Sequence, residues 1–117
     1  ADFALIAIED PFREDDWESW KAFTQEYSSQ IQIVADDLTV TNRERVLDVI
    51  EQGAATGVII KPNQIGTVSE ALDTAKLAKD AGLKLVVSHR SGETNNSFIA
   101  DLAVGIGADF LKAGAPV

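Results

Sequence analysis

Five small clusters of ionisable and hydroxyl residues recur at matching points along the 117-residue chain. Glu9, Asp10 and Pro11 follow one short apolar run, and Asp36 and Asp37 follow the next. Lys61 follows the third, Ser88, His89, Arg90 and Ser91 follow the fourth, and Lys112 ends the fifth. Glu9 and Asp36 are hard oxygen donors suited to Mg2+, which takes few protein carboxylates and shares its shell with substrate and water. A lysine beside a cation is pushed toward its neutral form, and a neutral lysine is a general base. His89, Arg90 and Lys112 are positive donors for phosphate or carboxylate, and Arg90 can hold an anion in a fork. Acidic ligands, a metal, a lysine base and an anion clamp together point to proton abstraction next to a carboxylate.

Singly, each of these residues has a plainer explanation. An acid after a strand most often caps a helix or sits in a loop, and Asp10 and Asp37 fit that role. Lys61 and Lys112 could be surface lysines lying along apolar stems. A lone histidine is more often packed or solvated than functional. The whole pattern is harder to dismiss, because two acids, two lysines, a histidine and an arginine fall at equivalent points of five repeats.

The elements that must position them are legible. The apolar runs at 5–8, 31–35, 58–60, 85–87 and 110–111 are rich in Ile, Val and Leu and alternate little, which suits strands buried on both faces. They recur about every 26 residues, the spacing of strand–helix units. Between the first two runs, Trp17, Trp20 and Phe23 form an i, i+3, i+6 core stripe, preceded by Glu14, Asp15 and Asp16 at the positive end of the helix dipole. Thr41 with Glu44, and Thr67 with Glu70, match a capping box. Gly53 and Gly82 stand where a left-handed helix end is wanted. Val68, Leu72, Ala75, Leu77 and Ala78 mark the apolar face of one helix, and a last helix is expected over 96–104. The order βαβαβαβαβ implies a parallel sheet with right-handed crossovers. Five such strands make either a small open sheet or five-eighths of a (β/α)₈ barrel, and periodicity leaves both open. In a barrel the C-terminal strand ends converge on one face, where catalytic groups sit.

Composition narrows the class. Hydrophobic residues make up 45% and charged residues 25%, as in a soluble globular chain. The net charge of −9 opposes a general nucleic-acid role. No apolar run approaches the roughly 20 residues needed to span a bilayer, so no membrane partner is expected. Cysteine is absent, which excludes disulfides, zinc–thiolate sites and thiol catalysis and fits a reducing cytoplasm. The start has no basic segment ahead of an apolar one, so no signal peptide is expected. Methionine is absent even at position 1, and the chain stops just after an expected strand. A piece of a longer protein is therefore expected, with 1–117 as one incomplete domain.

The segments IEDPF (8–12), DDLTVTN (36–42), IIKPNQIGT (59–67), VSHRSGET (87–94), FIADLAVG (98–105) and LKAGAP (111–116) resemble the enolase family in order and spacing. That family's superfamily is itself a known instance of a metal-and-lysine solution to proton abstraction. The resemblance covers essentially the whole chain, and it implies an α/β fold in which these are the last five strands of the (β/α)₈ TIM barrel. It implies a lyase, phosphopyruvate hydratase, that reversibly dehydrates 2-phosphoglycerate to phosphoenolpyruvate with Mg2+ in glycolysis and gluconeogenesis. Glu9 and Asp36 then correspond to two of three metal ligands. Lys61 corresponds to the base that takes the C2 proton, and Lys112 to a residue that stabilises the enediolate and binds the carboxylate. Ser88, His89, Arg90 and Ser91 correspond to a loop holding substrate phosphate and carboxylate. A cytoplasmic homo-oligomer, dimer or higher, goes with the same resemblance.

Two substitutions depart from the family pattern. Pro62 follows the expected base where many relatives carry a branched aliphatic, and Ala113 follows Lys112 where threonine is usual. The third metal ligand, the acids that act on the leaving hydroxyl and the second-metal loop have no place in the chain, so it alone is expected to be inactive. Two other readings stand beside the enzyme. One is an enolase-derived half-barrel acting as a binding or assembly module. The other is a different superfamily enzyme working on another carboxylate. Retention of both lysines, both acids and the SHRS loop argues against the first, and that loop's suitability for phosphate argues against the second.

Overall fold

The computed structural model describes residues 4–90 and 97–114. Five strands, β1 (Ala7–Glu9), β2 (Gln32–Ala35), β3 (Gly57–Ile60), β4 (Lys84–Ser88) and β5 (Phe110–Lys112), form one parallel sheet in the order β1-β2-β3-β4-β5. The helices between them are α1 (Trp17–Tyr27), α2 (Arg43–Gln52), α4 (Val68–Asp80) and α5 (Phe98–Ile106), with a single extra turn, α3 (Pro62–Ile65), after β3.

Strand order and side-chain parity settle the choice between open sheet and barrel. A doubly wound sheet reverses its strand order at a switch point and carries helices on both faces. Here the order never reverses. Ile33, Ala35, Val58, Ile60 and Leu85 pack with Trp20, Val46, Val49, Ala71, Ala75 and Ala78 in one buried cluster on the helix side. The residues between them, Val34, Ile59 and Val86, form a separate buried cluster on the opposite, helix-free face. The sheet is also curled into a half-barrel. Lys112 on β5 reaches Glu9 on β1 at 2.7 Å, although three strands lie between them. Laid flat, four inter-strand steps of about 4.8 Å would part them by roughly 19 Å, farther than a lysine and a glutamate can span. Gly57 eases close packing on the inner face, since a Cβ there would lie 3.1 Å from the Lys84 carbonyl oxygen and 3.2 Å from Lys84 Cβ.

The central strands are buried on both faces as expected, but the outer two are not. β1 begins at Ala7, leaving Leu5 and Ile6 exposed, and all of β5 is exposed. Edge strands have a neighbour on one side only, so the sequence pattern of a buried run does not bury them.

Three local expectations also change. The N-cap of α2 is Asn42, whose side chain accepts from Glu44 N and Arg45 N, so Thr41 is not a capping residue. The buried face of α4 is Ala71, Thr74, Ala75 and Ala78, whereas Val68 and Leu72 are exposed. Small residues let α4 approach the sheet closely, and the larger ones fall on its outer side. The last helix begins at Phe98 and runs to Ile106, two residues beyond the expected end. Other signals hold: Asp16 caps α1 by accepting from Ser19 N, Thr67 caps α4 by accepting from Glu70 N, and Gly53 ends α2 at φ 62°. Trp20 is fully buried, with Trp17 and Phe23 packed partly buried around the same core.

Candidate functional site

Period two along each strand aims the functional residues at the inner face. Asp36 lies two residues beyond Val34, Lys61 two beyond Ile59, and Ser88 two beyond Val86. Lys112 pairs in register with Ser88, and Glu9 with Val34. Because all five strands are parallel, these residues collect at one rim of the half-barrel.

The centre of the rim is a set of acids interleaved with two lysines. Oxygen atoms of Glu9, Asp10 and Asp36 lie within 4.8 Å of one another. Lys61 Nζ donates to Asp36 Oδ2 at 2.5 Å, and the two side chains are only 12% and 8% exposed. Lys112 Nζ donates to both carboxylate oxygens of Glu9, at 2.8 and 2.7 Å, in a more open pair. Asp36 Oδ1 is buried and meets no hydrogen-bond donor among the described residues. A buried acceptor with no donor is costly unless something positive completes it. That orphan oxygen, on a carboxylate that comes within 4.8 Å of those of Glu9 and Asp10, fits a hard cation well.

Asp10 has a different task. Its carboxylate accepts from two consecutive peptide groups, Asp36 N at Oδ1 and Asp37 N at Oδ2, both at 2.9 Å. Both oxygens are thereby committed to holding the start of the β2–α2 turn, which carries Asp36. Asp10 sits at φ 41°, and its own N–H donates to Val34 O at 3.1 Å. Burial raises its pKa above the usual aspartate value, the backbone donors oppose the rise, and the nearby charges of Asp36 and Asp37 add to it.

The fourth strand end is only partly described. Ser88 is buried, and its hydroxyl donates to His89 O at 2.9 Å. His89 is half-buried and Arg90 exposed. Ser91 lies outside the described residues. Of the sequence-derived candidates, Glu9, Asp36, Lys61 and Lys112 are brought into direct contact as two ion pairs, while Ser88, His89 and Arg90 flank them at the end of β4.

The family model described as "Enolase, C-terminal TIM barrel domain" matches residues 1–117. The chain belongs to the enolase family. One relative, named "Enolase", from Mycobacteroides abscessus, is 51% identical over 114 residues, which is 97% of this chain and 26% of that protein. The chain thus spans about a quarter of the length of the curated relative it matches.

Within this enolase-type half-barrel, two residues of the DDLTVTN and KPNQIG segments emerge that sequence reasoning missed. Thr41 is fully buried, and its hydroxyl accepts from Lys61 N at 2.9 Å while donating to Gln64 Oε1 at 2.8 Å. The capping-box pattern drew Thr41 into the wrong role. A signal was available in the next residue, since Asn42 is as good a cap and leaves the threonine free to turn inward.

Proposed function

We propose that the chain is part of an enolase active site, phosphopyruvate hydratase, which reversibly dehydrates 2-phosphoglycerate to phosphoenolpyruvate with Mg2+. The observation that carries this reading is the meeting of Glu9, Asp36, Lys61 and Lys112, drawn from four strand ends, in two ion pairs at one rim. Glu9 and the unpartnered Oδ1 of Asp36 would hold Mg2+, with Asp10 fixing the turn that presents Asp36. Bound there, Mg2+ would polarise the substrate carboxylate and make the adjacent C2 proton more acidic.

Lys61 is the base that takes the C2 proton. It is launched from the inner face, and its ammonium meets Asp36, one of the two acids that would hold Mg2+, which puts the base within reach of a substrate carboxylate seated there. Lys112 donates to the oxygens on which negative charge develops as the enediolate forms, and contributes to binding the carboxylate. Ser88, His89, Arg90 and Ser91 hold phosphate and carboxylate, with Arg90 supplying the fork. The third metal ligand and the acid that assists the departing hydroxyl come from outside these residues. The same reading puts the intact protein in cytoplasmic glycolysis and gluconeogenesis as a homo-oligomer.

The test is phosphoenolpyruvate formation by the full-length protein that carries this segment, with Mg2+ and with chelator. Lys61→Ala should lower turnover by about 10²–10⁴-fold, the usual contribution of a positioned base. Turnover indifferent to both chelator and Lys61→Ala would overturn the assignment. The 117-residue chain alone should show negligible turnover.

A further inference from the structure

Lys61 is gripped by a closed ring of three hydrogen bonds. Its N–H donates to Thr41 Oγ1 at 2.9 Å, the Thr41 hydroxyl donates to Gln64 Oε1 at 2.8 Å, and Gln64 N–H returns to Lys61 O at 2.9 Å. The single hydroxyl hydrogen of Thr41 is committed to Gln64, so an oxygen lone pair is left facing the Lys61 peptide. Pro62 restricts Lys61 further, holding it extended at φ −125° and ψ 101°.

The threonine that closes the ring stands on unusual backbone. Val40 has φ 44° and Thr41 φ 57°, a region that β-branched residues rarely enter. Bonds from Val40 N to Asp36 O and from Asn42 N to Thr39 O, each 2.8 Å, keep the turn in this shape. One end of that turn therefore carries Asp36, and the other carries the hydroxyl that holds Lys61, whose ammonium returns to Asp36. Capping does not account for Thr41, because Asn42 caps α2.

We propose that Thr41, backed by Gln64, is a positioning residue for Lys61: it fixes the peptide from which the lysine side chain is launched and ties that peptide to the turn bearing Asp36. The inference rests on Lys61 being the base. Loss of the hydroxyl leaves the Lys61 N–H without its acceptor and lets the ammonium drift, and a misplacement of about 1 Å can cost on the order of 10²-fold in rate.

The experiment is steady-state kinetics on the full-length protein carrying this segment, at saturating Mg2+, with ordinary and C2-deuterated 2-phosphoglycerate. Thr41→Val should lower kcat about 10–100-fold, with KM changed by less than about threefold, and should enlarge the deuterium isotope effect as proton abstraction becomes limiting. Thr41→Ser, which restores the hydroxyl, should recover most of kcat. Gln64→Met, at a half-exposed position, should give a smaller loss of the same kind and carries the test if Thr41→Val does not fold. Wild-type kcat and isotope effect in Thr41→Val, or in Gln64→Met where Thr41→Val fails to fold, would overturn the proposal. So would a Thr41→Ser variant as slow as Thr41→Val, which would assign the effect to packing of the methyl group. Full activity in Lys61→Ala would instead remove the base assignment, and the positioning role with it.

Discussion

Replacing Lys61 by methionine should unfold this half-barrel more easily, and the size of the loss follows from its surroundings. The Lys61 and Asp36 side chains are 12% and 8% exposed, and the second carboxylate oxygen, Oδ1, already has no donor among the described residues. Taking the ammonium away strands a buried carboxylate, for which removal of one partner costs about 3–5 kcal/mol. A loss of about 3 kcal/mol corresponds to a fall of about 2 M in the urea midpoint, for a slope of about 1.5 kcal/mol per molar. The assay is urea unfolding followed by circular dichroism, at pH 7 and in chelator, of Lys61→Met, Asp36→Asn and the double variant. The double variant should be more stable than Lys61→Met, since it removes the stranded charge together with its partner. A Lys61→Met protein as stable as wild type, or two single losses that simply add, would refute the reasoning.

Asp10→Ala should weaken Mg2+ binding by about 10–100-fold in isothermal calorimetry, the usual effect of removing a group that orients a ligand. Asp10→Asn keeps one acceptor oxygen of two and should lose less; unchanged affinity in both would mean that the clamp does not govern Asp36. Asp109 accepts from Lys84 Nζ at 2.8 Å and from Leu85 N at 2.9 Å, and the lysine contact, then the backbone bond, holds its pKa below the usual 3.8. A lowered acid pKa stabilises the fold above the unfolded value, and that contribution is lost as pH falls through the folded one. Thermal melting should therefore show Asp109→Asn less stable than wild type at neutral pH, with the gap shrinking as pH drops below 3.8. A gap independent of pH would assign the effect to packing.

Much of the fold could be read from the chain because a buried parallel strand and its helix leave a strong repeating mark. The runs around Ile33, Val58 and Leu85 became β2, β3 and β4 within a residue or so at each end. Curvature was not legible in the periodicity, only in the family resemblance, because it resides in the contact between Glu9 and Lys112, more than a hundred residues apart in sequence. Nor was the exposure of β1 and β5, since a strand's neighbours are a property of the sheet. At the site, residue type and position after a strand were enough to single out Glu9, Asp36, Lys61 and Lys112. How they pair was not, because side-chain reach across strands depends on register. Asp10 and Thr41 look like ordinary turn and cap residues in sequence, and their tasks become visible only when the peptide groups of Asp36 and Lys61 are seen to point at them.

The strand order has a consequence for how the molecule is made. Each of the described strands after β1 is laid beside its predecessor in sequence, and each of these pairings spans about one repeat, so the loop entropy of each step is similar. Growth from the N-terminus can thus proceed strand by strand during translation. The bond between Lys112 and Glu9 is the exception, bridging 103 positions. The residues before 110 supply β1 to β4 and all five helices, yet without β5 the rim lacks the cation that meets Glu9. Among the described hydrogen bonds of the rim, the Glu9–Lys112 contact is the one that cannot form until β5 is made.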